Sequence, residues 1–248
     1  MAARASLAAI RGYAELARRH PGPVPADLAH ALGRVESESA RMSVLVDELL
    51  LLAQLDAGRP LASEPVDLTR LAIDAASDAR AATPDHRWQL ELPDEPVLVR
   101  GDEHRLRQVL ANLLGNAGRH TPAGTTVTVT LAEPDPGAAQ VALSVTDDGP
   151  GIPADLQPGL FERFVRGDAS RSHATGGTGL GLAIVDAVTT AHGGSVAVAS
   201  RPGQTRFVIT LPGLAGPAAS AAPADGGPAR PLPSGVPGSG QTAGLYLE

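Results

Sequence analysis

The chain has 248 residues, 43% hydrophobic and 19% charged, which is enough apolar material for a folded core and excludes a wholly disordered protein. Its net charge of −7 disfavours general nucleic-acid binding, and its lack of cysteine excludes a disulfide framework and a thiolate metal site. It has neither a run of about 18 apolar residues nor a secretion signal, so we expect a cytoplasmic location with no membrane segment.

Two helices are predicted first. Apolar residues at helical spacing favour a helix over 7–19, which the proline-rich segment 20–25 ends. The second helix, ended by 56–58, carries a seven-residue apolar repeat with two further leucines three residues on: Leu28, Val35, Met42 and Leu49, then Leu45 and Leu52. Because two helices leave this stripe half covered, we expect a homodimer in which two hairpins, each over 1–57, form a four-helix bundle.

The pattern then becomes mixed. After a linker over 59–64 it predicts a helix over 68–82, strands over 88–92 and 97–100, and a helix from Asp102 to about Gly118. Next come a hairpin of strands over 126–131 and 141–145, a helix over 180–191, and a last hairpin of strands over 195–199 and 206–211. This order indicates an α+β fold with helices on one face of a sheet. The Ala-, Gly- and Pro-rich tail over 213–248 is predicted to be disordered.

Asn112, Asn116 and Arg119 share one stripe of the helix that follows Asp102, beside its apolar face. Amide oxygens are hard ligands suited to Mg²⁺, and a following arginine can clamp phosphate oxygens. Taken alone, the pattern favours two solvated asparagines on an exposed face.

The segment Asp147-Asp-Gly-Pro-Gly-Ile152 directly follows a predicted strand. A carboxylate fixed at a strand end can accept a hydrogen bond from an exocyclic amine, and Gly149 and Gly151 allow the backbone to approach a flat ring. The alternative is an ordinary tight turn.

A third motif, Gly176-Gly-Thr-Gly-Leu-Gly181, leads into a helix whose free amides and dipole favour phosphate. It lacks the Gly-Lys-Thr ending of a P-loop, and a flexible linker is the alternative. Between the glycine motifs, Leu160-Phe-Glu-Arg-Phe-Val-Arg166 is either a cluster anchoring a loop or a lid that brings Arg163 or Arg166 to a phosphate.

In this order, the four motifs resemble the ATP-binding domain of sensor histidine kinases over about 64–212. The resemblance implies the Bergerat-type αβα sandwich of gyrase, Hsp90 and MutL ATPases, with ATP and Mg²⁺ as cofactors. It implies that Asn116 ligates Mg²⁺ with help from Asn112. It also implies that Arg119 replaces the usual lysine on the phosphates and that His120 replaces an aromatic residue beside the nucleotide. Asp147 would bind the adenine amine, next to Gly149 and Gly151. The remaining implied nucleotide contacts are Arg166, Thr178, Gly179, Leu180 and Gly181, and Thr205 with Gly203 in a loose last glycine box.

The helical hairpin resembles the dimerisation and phosphotransfer domain of the same family, whose first helix reads Ser-His-Glu-Leu-Arg-Thr-Pro-Leu. Alignment of Arg4 and Leu7 with that motif places Met1 on the acceptor histidine and Ala2 on the acidic base. Ala5 takes the place of the threonine used in phosphatase chemistry, so we expect no phosphatase activity. The chain is then truncated, acts on a histidine in trans, or is a degenerate regulator, and we rank truncation first.

The function that the resemblance implies is the catalytic part of a two-component histidine kinase, with a response regulator receiver domain as partner and a membrane anchor only in a longer form. An anti-sigma-factor-type serine kinase shares the nucleotide motifs but does not need the heptad-spaced helices. A gyrase-type clamp needs a transducer domain after the nucleotide site. A non-catalytic ATP-binding dimeric regulator and a purely dimerising scaffold are the remaining alternatives.

Overall fold

The computed structural model describes residues 2–18, 25–132, 139–165 and 177–214. Its helices are α1 (Ala2–Arg18), α2 (Ala26–Asp56), α3 (Leu68–Ala82), α4 (Glu103–His120) and α5 (Gly181–Ala191), with one 3₁₀ turn at Gln157–Gly159. Its strands are β1 (Glu64–Asp67), β2 (Arg87–Glu91), β3 (Leu98–Gly101), β4 (Thr126–Leu131), β5 (Gln140–Asp147), β6 (Ser195–Arg201) and β7 (Gln204–Pro212).

Helices α1 and α2 pack against each other, as the apolar spacing predicts, although α1 begins five residues earlier than expected. The predicted turn over 20–25 lies outside the described residues except for Pro25. The seven-residue repeat of α2 is exposed. Of the two further leucines in the predicted stripe, Leu45 packs against the core and Leu52 is buried in it. The exposed members of the repeat are Leu28, Val35, Met42 and Leu49.

Within the described residues, one sheet has the strand order β2-β4-β5-β7-β6, and β1 and β3 form a separate antiparallel ribbon. Both predicted hairpins are confirmed, because β4 with β5 and β6 with β7 are antiparallel neighbours. The pairing of β2 with β4 is parallel, and β5 pairs with β7 along its whole length.

Helices α3, α4 and α5 share one hydrophobic core with the sheet, which confirms the predicted α+β arrangement. In β4 the burial alternates, so that Val127 and Val129 face the helices and the threonines between them face outward. Leu51 and Leu52 of α2 belong to the same core, so the end of the helical hairpin packs against the α+β domain.

Besides the earlier start of α1, the described structure departs from the prediction in a short strand and at the start of the expected tail. Strand β1 is not among the predicted elements, because Val66 is its single buried residue and Pro65 weakens the strand signal; Glu64 falls in the predicted linker and 65–67 between that linker and the helix. Gly213 and Leu214, which the sequence places in the tail, bond to β3: Gly213 bridges Val99, and the Leu214 amide donates to the Leu98 carbonyl. The rest of the expected tail lies outside the described residues. None of the helices in the described ranges is long and apolar enough to span a bilayer.

Candidate functional site

Helix α4 carries the first group of candidate residues. The Asp102 carboxylate caps it by accepting a hydrogen bond from the Arg105 amide at 3.2 Å. Its inner face is buried, which fixes the helix against the sheet through Leu106, Val109, Leu110, Leu113, Leu114 and Ala117. Asn112 and Asn116 are half-buried on the stripe beside this face, as the spacing predicts.

Asn112 joins α4 to the start of α5. Its Nδ2 donates to the Gly181 carbonyl at 3.1 Å, although the two residues are 69 positions apart in the chain. The asparagine motif and the third motif, which ends at Gly181, therefore meet in space. The bond fixes which way the amide faces, because Nδ2 is engaged and Oδ1 is left as an acceptor.

One turn further along α4, the Arg119 Nη2 atom donates to Asn116 Oδ1 at 3.1 Å. Arg119 also folds back over its own helix, since a Cβ added to Gly115 would lie 3.0 Å from its Nη1 atom. On the other side, Gly177 is near enough that an added Cβ would lie 3.9 Å from Arg119 Nε. His120 is exposed at the last position of α4.

Asp147 ends β5 and is 7% exposed. Its Oδ1 accepts a hydrogen bond from the Gly149 amide at 3.0 Å, which fixes the carboxylate in place. Burial raises the pKa of Asp147, the Gly149 hydrogen bond opposes that change, and the neighbouring Asp148 charge adds to it. A fixed and poorly solvated carboxylate is well suited to accept a hydrogen bond from a ligand amine.

Both glycines of this turn are required sterically. A Cβ on Gly149 would lie 2.6 Å from Thr121 Cγ2 and 2.8 Å from Asp147 Oδ1. Gly151 has φ +84°, and a Cβ there would lie 2.6 Å from the Arg201 carbonyl oxygen. The turn therefore approaches α4 on one side and the β6–β7 hairpin on the other.

The loose last glycine box, which contains Gly203 and Thr205, contacts the Asp147 turn through hydrogen bonds. Thr205 is the register partner of Asp147 and is 4% exposed. Its hydroxyl lies 2.9 Å from the Ser200 hydroxyl, which accepts a hydrogen bond from the Ile152 amide at 2.8 Å. The Gly203 amide donates to the Gly149 carbonyl at 2.9 Å. Thr205 and Gly203 thus hold the turn in position.

At the start of α5, the Thr178 hydroxyl accepts a hydrogen bond from the Leu180 amide at 3.2 Å. Leu180 is fully buried and anchors the segment. Gly179 has φ +72°, and its carbonyl accepts a hydrogen bond from the Phe164 amide at 2.8 Å. The turn before α5 therefore packs against the end of the phenylalanine segment.

Helix α4 connects the two halves of the site. At one end of the site Asn112 is hydrogen-bonded to Gly181. At the other end Thr121, which follows the last residue of α4, lies against Gly149. From Asn112 to Thr121 a helix advances about 14 Å at 1.5 Å per residue. The Thr121 hydroxyl donates to the Ala117 carbonyl at 2.7 Å, so its position is set by α4. Sequence reasoning missed this threonine.

Comparison with known proteins gives a consistent result. The family model for the "Histidine kinase-, DNA gyrase B-, and HSP90-like ATPase" matches residues 101–214, and that for the "His Kinase A (phospho-acceptor) domain" matches residues 4–58. The chain is 57% identical over 209 residues to the probable sensor histidine kinase TcrY of Mycobacterium tuberculosis, covering 84% of this chain and 43% of that protein. To the sensor histidine kinase TrcS of the same organism it is 53% identical over 211 residues, covering 84% of this chain and 41% of that protein.

Among solved structures, the mycobacterial sensor histidine kinase MprB matches with a TM-score of 0.53 and 38% identity, covering 60% of this chain and 98% of that one. The chain belongs to the sensor histidine kinases. Full-length ShkA in complex with AMPPNP matches with a TM-score of 0.71 and 29% identity, covering 85% of this chain and 43% of that one. The kinase chain described here spans less than half the length of TcrY and TrcS.

In this histidine kinase two arginines of the phenylalanine segment were candidates for phosphate binding. Arg166 lies outside the described residues. The Arg163 Nη2 atom donates to both carboxylate oxygens of Asp56, at 2.7 and 2.9 Å, and so contacts the end of α2. Phe161 packs edge-on against Phe207 with ring centroids 6.4 Å apart, in the anchoring role that the sequence left open.

Glu48 of α2, like Thr121, was not identified from the sequence. Glu48 is 9% exposed, and its Oε2 atom is buried with no hydrogen-bond partner among the described residues. Burial raises the pKa of its carboxyl group. It lies three residues after Leu45 and four before Leu52, so an acidic residue on the inward side of an amphipathic helix was the signal available.

One surface depression among the described residues lies near Asp147 but does not include the asparagines of α4. Its volume is about 230 Å³, and it lies where the outer face of the sheet meets the Asp147 turn. Its lining is Thr126, Thr128, Thr146, Asp147, Asp148, Gly203 and Gln204. Since it excludes Asn112, Asn116 and Thr178, we place the candidate site on the helix side of Asp147 instead.

Proposed function

We propose that this kinase chain binds ATP with Mg²⁺ between α4, the Asp147 turn and the start of α5. We further propose that it donates the γ-phosphoryl group to a protein histidine, for relay to a response regulator receiver domain. The observation that carries the proposal is that α4 contacts both glycine motifs, through Asn112 and Gly181 at one end and Thr121 and Gly149 at the other. The family membership supports the same activity.

Each end of the site suits one part of the nucleotide. The Asp147 carboxylate would accept a hydrogen bond from the adenine amine, with Gly149 and Gly151 letting the turn approach the ring and Thr205 supporting it. The amides of Thr178, Gly179, Leu180 and Gly181 precede or begin α5, where the helix dipole favours phosphate. Arg119 would neutralise phosphate charge, and His120 would lie beside the nucleotide.

The donor set of α4 fits Mg²⁺. Asn112 Oδ1 and Asn116 Oδ1 are hard oxygen donors of the kind that hold Mg²⁺ together with substrate phosphates and water. Within the described part of the chain no three His, Cys, Asp or Glu side chains are grouped closely enough to hold a metal ion. When bound, the ion would neutralise charge on the phosphates. Asn116 Oδ1 must first be released by Arg119, which donates to it in this structure.

A titration with a fluorescent ATP analogue and Mg²⁺ tests the binding site. Asn116→Ala and Asp147→Ala should each abolish binding, because one removes a metal ligand and the other the adenine acceptor. Gln108→Ala is the matched control, since Gln108 lies on the same stripe of α4 and hydrogen-bonds only locally, to Arg105. Full binding by either site variant would refute the assignment.

Phosphotransfer needs an acceptor imidazole and a carboxylate to orient it. With radiolabelled ATP, this polypeptide should show weak acid-labile labelling or none, because Met1 and Ala2 occupy those positions. An N-terminally extended version carrying Met1→His and Ala2→Glu should become labelled, whereas the same extension with Ala2→Glu alone should not. Strong labelling of the unaltered polypeptide would mean that another histidine is the acceptor.

We also propose that the chain dimerises through its hairpin, over 1–57, and that it is a cytoplasmic protein whose nucleotide domain begins at about 64 and includes Gly213 and Leu214. Support for the dimer comes from the exposed apolar repeat of α2, including Val35 and Met42, beside the exposed Tyr13 and Leu16 of α1. Light scattering at micromolar concentration should give the mass of a dimer; a monomer would contradict this.

A further inference from the structure

His86 is a half-buried histidine in the loop between α3 and β2, outside all the motifs of the candidate site. Its Nε2 atom lies 2.9 Å from the Thr121 hydroxyl, 35 positions further along the chain. Thr121 follows the last residue of α4 and lies against Gly149 of the Asp147 turn. The contact therefore joins this outer loop to the proposed adenine end of the site.

The direction of this hydrogen bond follows from the other bond that Thr121 makes. A hydroxyl has one proton, and Thr121 donates it to the Ala117 carbonyl at 2.7 Å, since a carbonyl oxygen can only accept. The Thr121 oxygen is thus an acceptor toward His86, so Nε2 carries the proton. A neutral imidazole then has none on Nδ1, and that atom is enclosed with no hydrogen-bond partner among the described residues. One tautomer of His86 satisfies these contacts.

Neighbouring residues hold the His86 ring in place. The His86 amide donates to the Thr83 carbonyl at 3.3 Å, and the Trp88 indole Nε1 donates to the same carbonyl at 3.2 Å. The centroids of the imidazole and indole rings are 6.2 Å apart. The Asp85 carbonyl accepts from the Gly124 amide at 2.7 Å. The loop is therefore fixed against the segment that follows α4.

The two hydrogen bonds of the Thr121 hydroxyl determine where its methyl group lies. A threonine carries both groups on Cβ, so fixing the hydroxyl also fixes χ1 and the methyl. Thr121 Cγ2 fills the space beside Gly149, where an added Cβ would be only 2.6 Å away. The Gly149 amide in turn donates to the Asp147 carboxylate at 3.0 Å. A continuous series of contacts thus leads from His86 to Asp147.

We propose that His86, protonated on Nε2, is a positioning residue for adenine binding that acts through Thr121 on Gly149 and the Asp147 carboxylate. This inference rests on the proposed function, because it takes Asp147 as the adenine acceptor. Loss of the Nε2 donor leaves the Thr121 hydroxyl with one hydrogen bond, so its methyl and the adjoining turn are held less firmly. Weaker preorganisation lowers the affinity for the base and leaves the phosphate contacts unchanged.

Asparagine and glutamine variants separate the Nε2 donor from the rest of the ring. A glutamine amide can place an N–H near the position of Nε2, whereas the shorter asparagine places it near Nδ1. In calorimetric titrations of the full chain, His86→Asn should bind both adenosine and ATP with Mg²⁺ about three- to tenfold more weakly. His86→Gln should restore most of the affinity. His104→Asn is the matched control, since His104 is an exposed histidine of α4, and it should behave as wild type.

A second background tests whether the effect passes through Thr121. Thr121→Val keeps the branched shape but removes the oxygen that His86 contacts, so adding His86→Asn should cause no further loss of affinity. A further loss as large as that in the wild-type background would overturn the proposal. Failure of His86→Gln to restore binding, or a loss for ATP without one for adenosine, would also overturn it.

The tautomer can be measured in the wild-type chain, independently of how any variant folds. Nitrogen-15 NMR correlations from the ring protons of His86 should show a protonated Nε2 and an unprotonated Nδ1. A proton on Nδ1 would overturn the proposal. Failure of the wild-type chain to bind both ATP and adenosine would instead refute the proposed function.

Discussion

At the scale of single residues, the Asp147 turn is shaped by how little space its neighbours leave. Gly149 lies against Thr121 of the α4 terminus, and Gly151 lies against the backbone at Arg201. The two contacts hold Asp147 between a helix and a hairpin, so its carboxylate stays fixed without a ligand. Preorganisation of this kind lowers the entropy that binding would otherwise cost.

Replacement of Gly151 by alanine should destabilise the fold. Its positive φ costs about 1 kcal/mol for an alanine, and the added Cβ meets the Arg201 carbonyl, which raises the expected loss in unfolding free energy to about 2 to 4 kcal/mol. Gly58→Ala is the control, since Gly58 has φ +67° with nothing within 4 Å of an added Cβ. It should lose about 1 kcal/mol in urea denaturation. Equal losses would show that the close approach at Arg201 is unimportant.

Asp147→Asn should separate binding from stability. Because burial raises the pKa of Asp147 in the folded chain, the carboxyl group favours folding most below its unfolded pKa, and this contribution is lost as pH rises through the folded pKa. At neutral pH the variant should therefore have the higher free energy of unfolding, and its advantage should disappear on acidification. Its ATP affinity should fall, because an amide is a weaker acceptor for adenine. Lower stability of the variant at neutral pH, measured by urea denaturation, would contradict this.

The residue types at the site were predictable where a motif carries them, as with Asn112, Asp147 and Gly149. The contact of Thr121 with Gly149 and the burial of Glu48 were not predictable, because both come from packing between distant elements. A threonine after a helix and a glutamate in a leucine-rich helix are common, and nothing local distinguishes these two.

At the scale of elements, α4 organises the site because its buried face fixes its rotation. With the leucines against the sheet, the asparagine stripe has to lie at the boundary with α5. The same reasoning applies to α5, which Leu180 anchors at its start. The site therefore depends on the orientation of two helices relative to one sheet.

Asn112→Ala should weaken ATP binding more than it weakens the fold. The variant loses one hydrogen bond to Gly181, worth about 1 kcal/mol of stability, and also a proposed metal ligand. We expect at least a tenfold loss of affinity for ATP with Mg²⁺, equivalent to about 1.4 kcal/mol, in the fluorescent titration. Gln108→Ala, one turn earlier, should keep wild-type affinity. If the two variants bound ATP equally well, Asn112 would have only a structural role.

Elements with a clear period were predicted well, and those without one were not. Helix α3 and strand β4 have the predicted bounds, because an amphipathic pattern and strict alternation define them. Strand β1 offered four residues and one buried side chain, too little for a period of two. The parallel pairing of β2 with β4 joins strands separated by a helix, which no local pattern specifies.

At the scale of the whole molecule, the proposed site is made of three segments that lie far apart in the sequence. Asn112–Arg119, Asp147–Ile152 and Thr178–Gly181 are brought together by the shared core of sheet and helices. The hairpin packs against the same core through Leu51 and Leu52, and its last helical residue, Asp56, pairs with Arg163.

Hydrogen exchange with and without ATP and Mg²⁺ tests this convergence most directly. If the three segments surround one nucleotide, saturating ATP should slow amide exchange in all of them together, at 112–119, 147–152 and 178–181. The outer threonines of β4, at the depression on the other face of the sheet, should be unaffected. Protection confined to one segment, or centred on that outer face, would contradict the account.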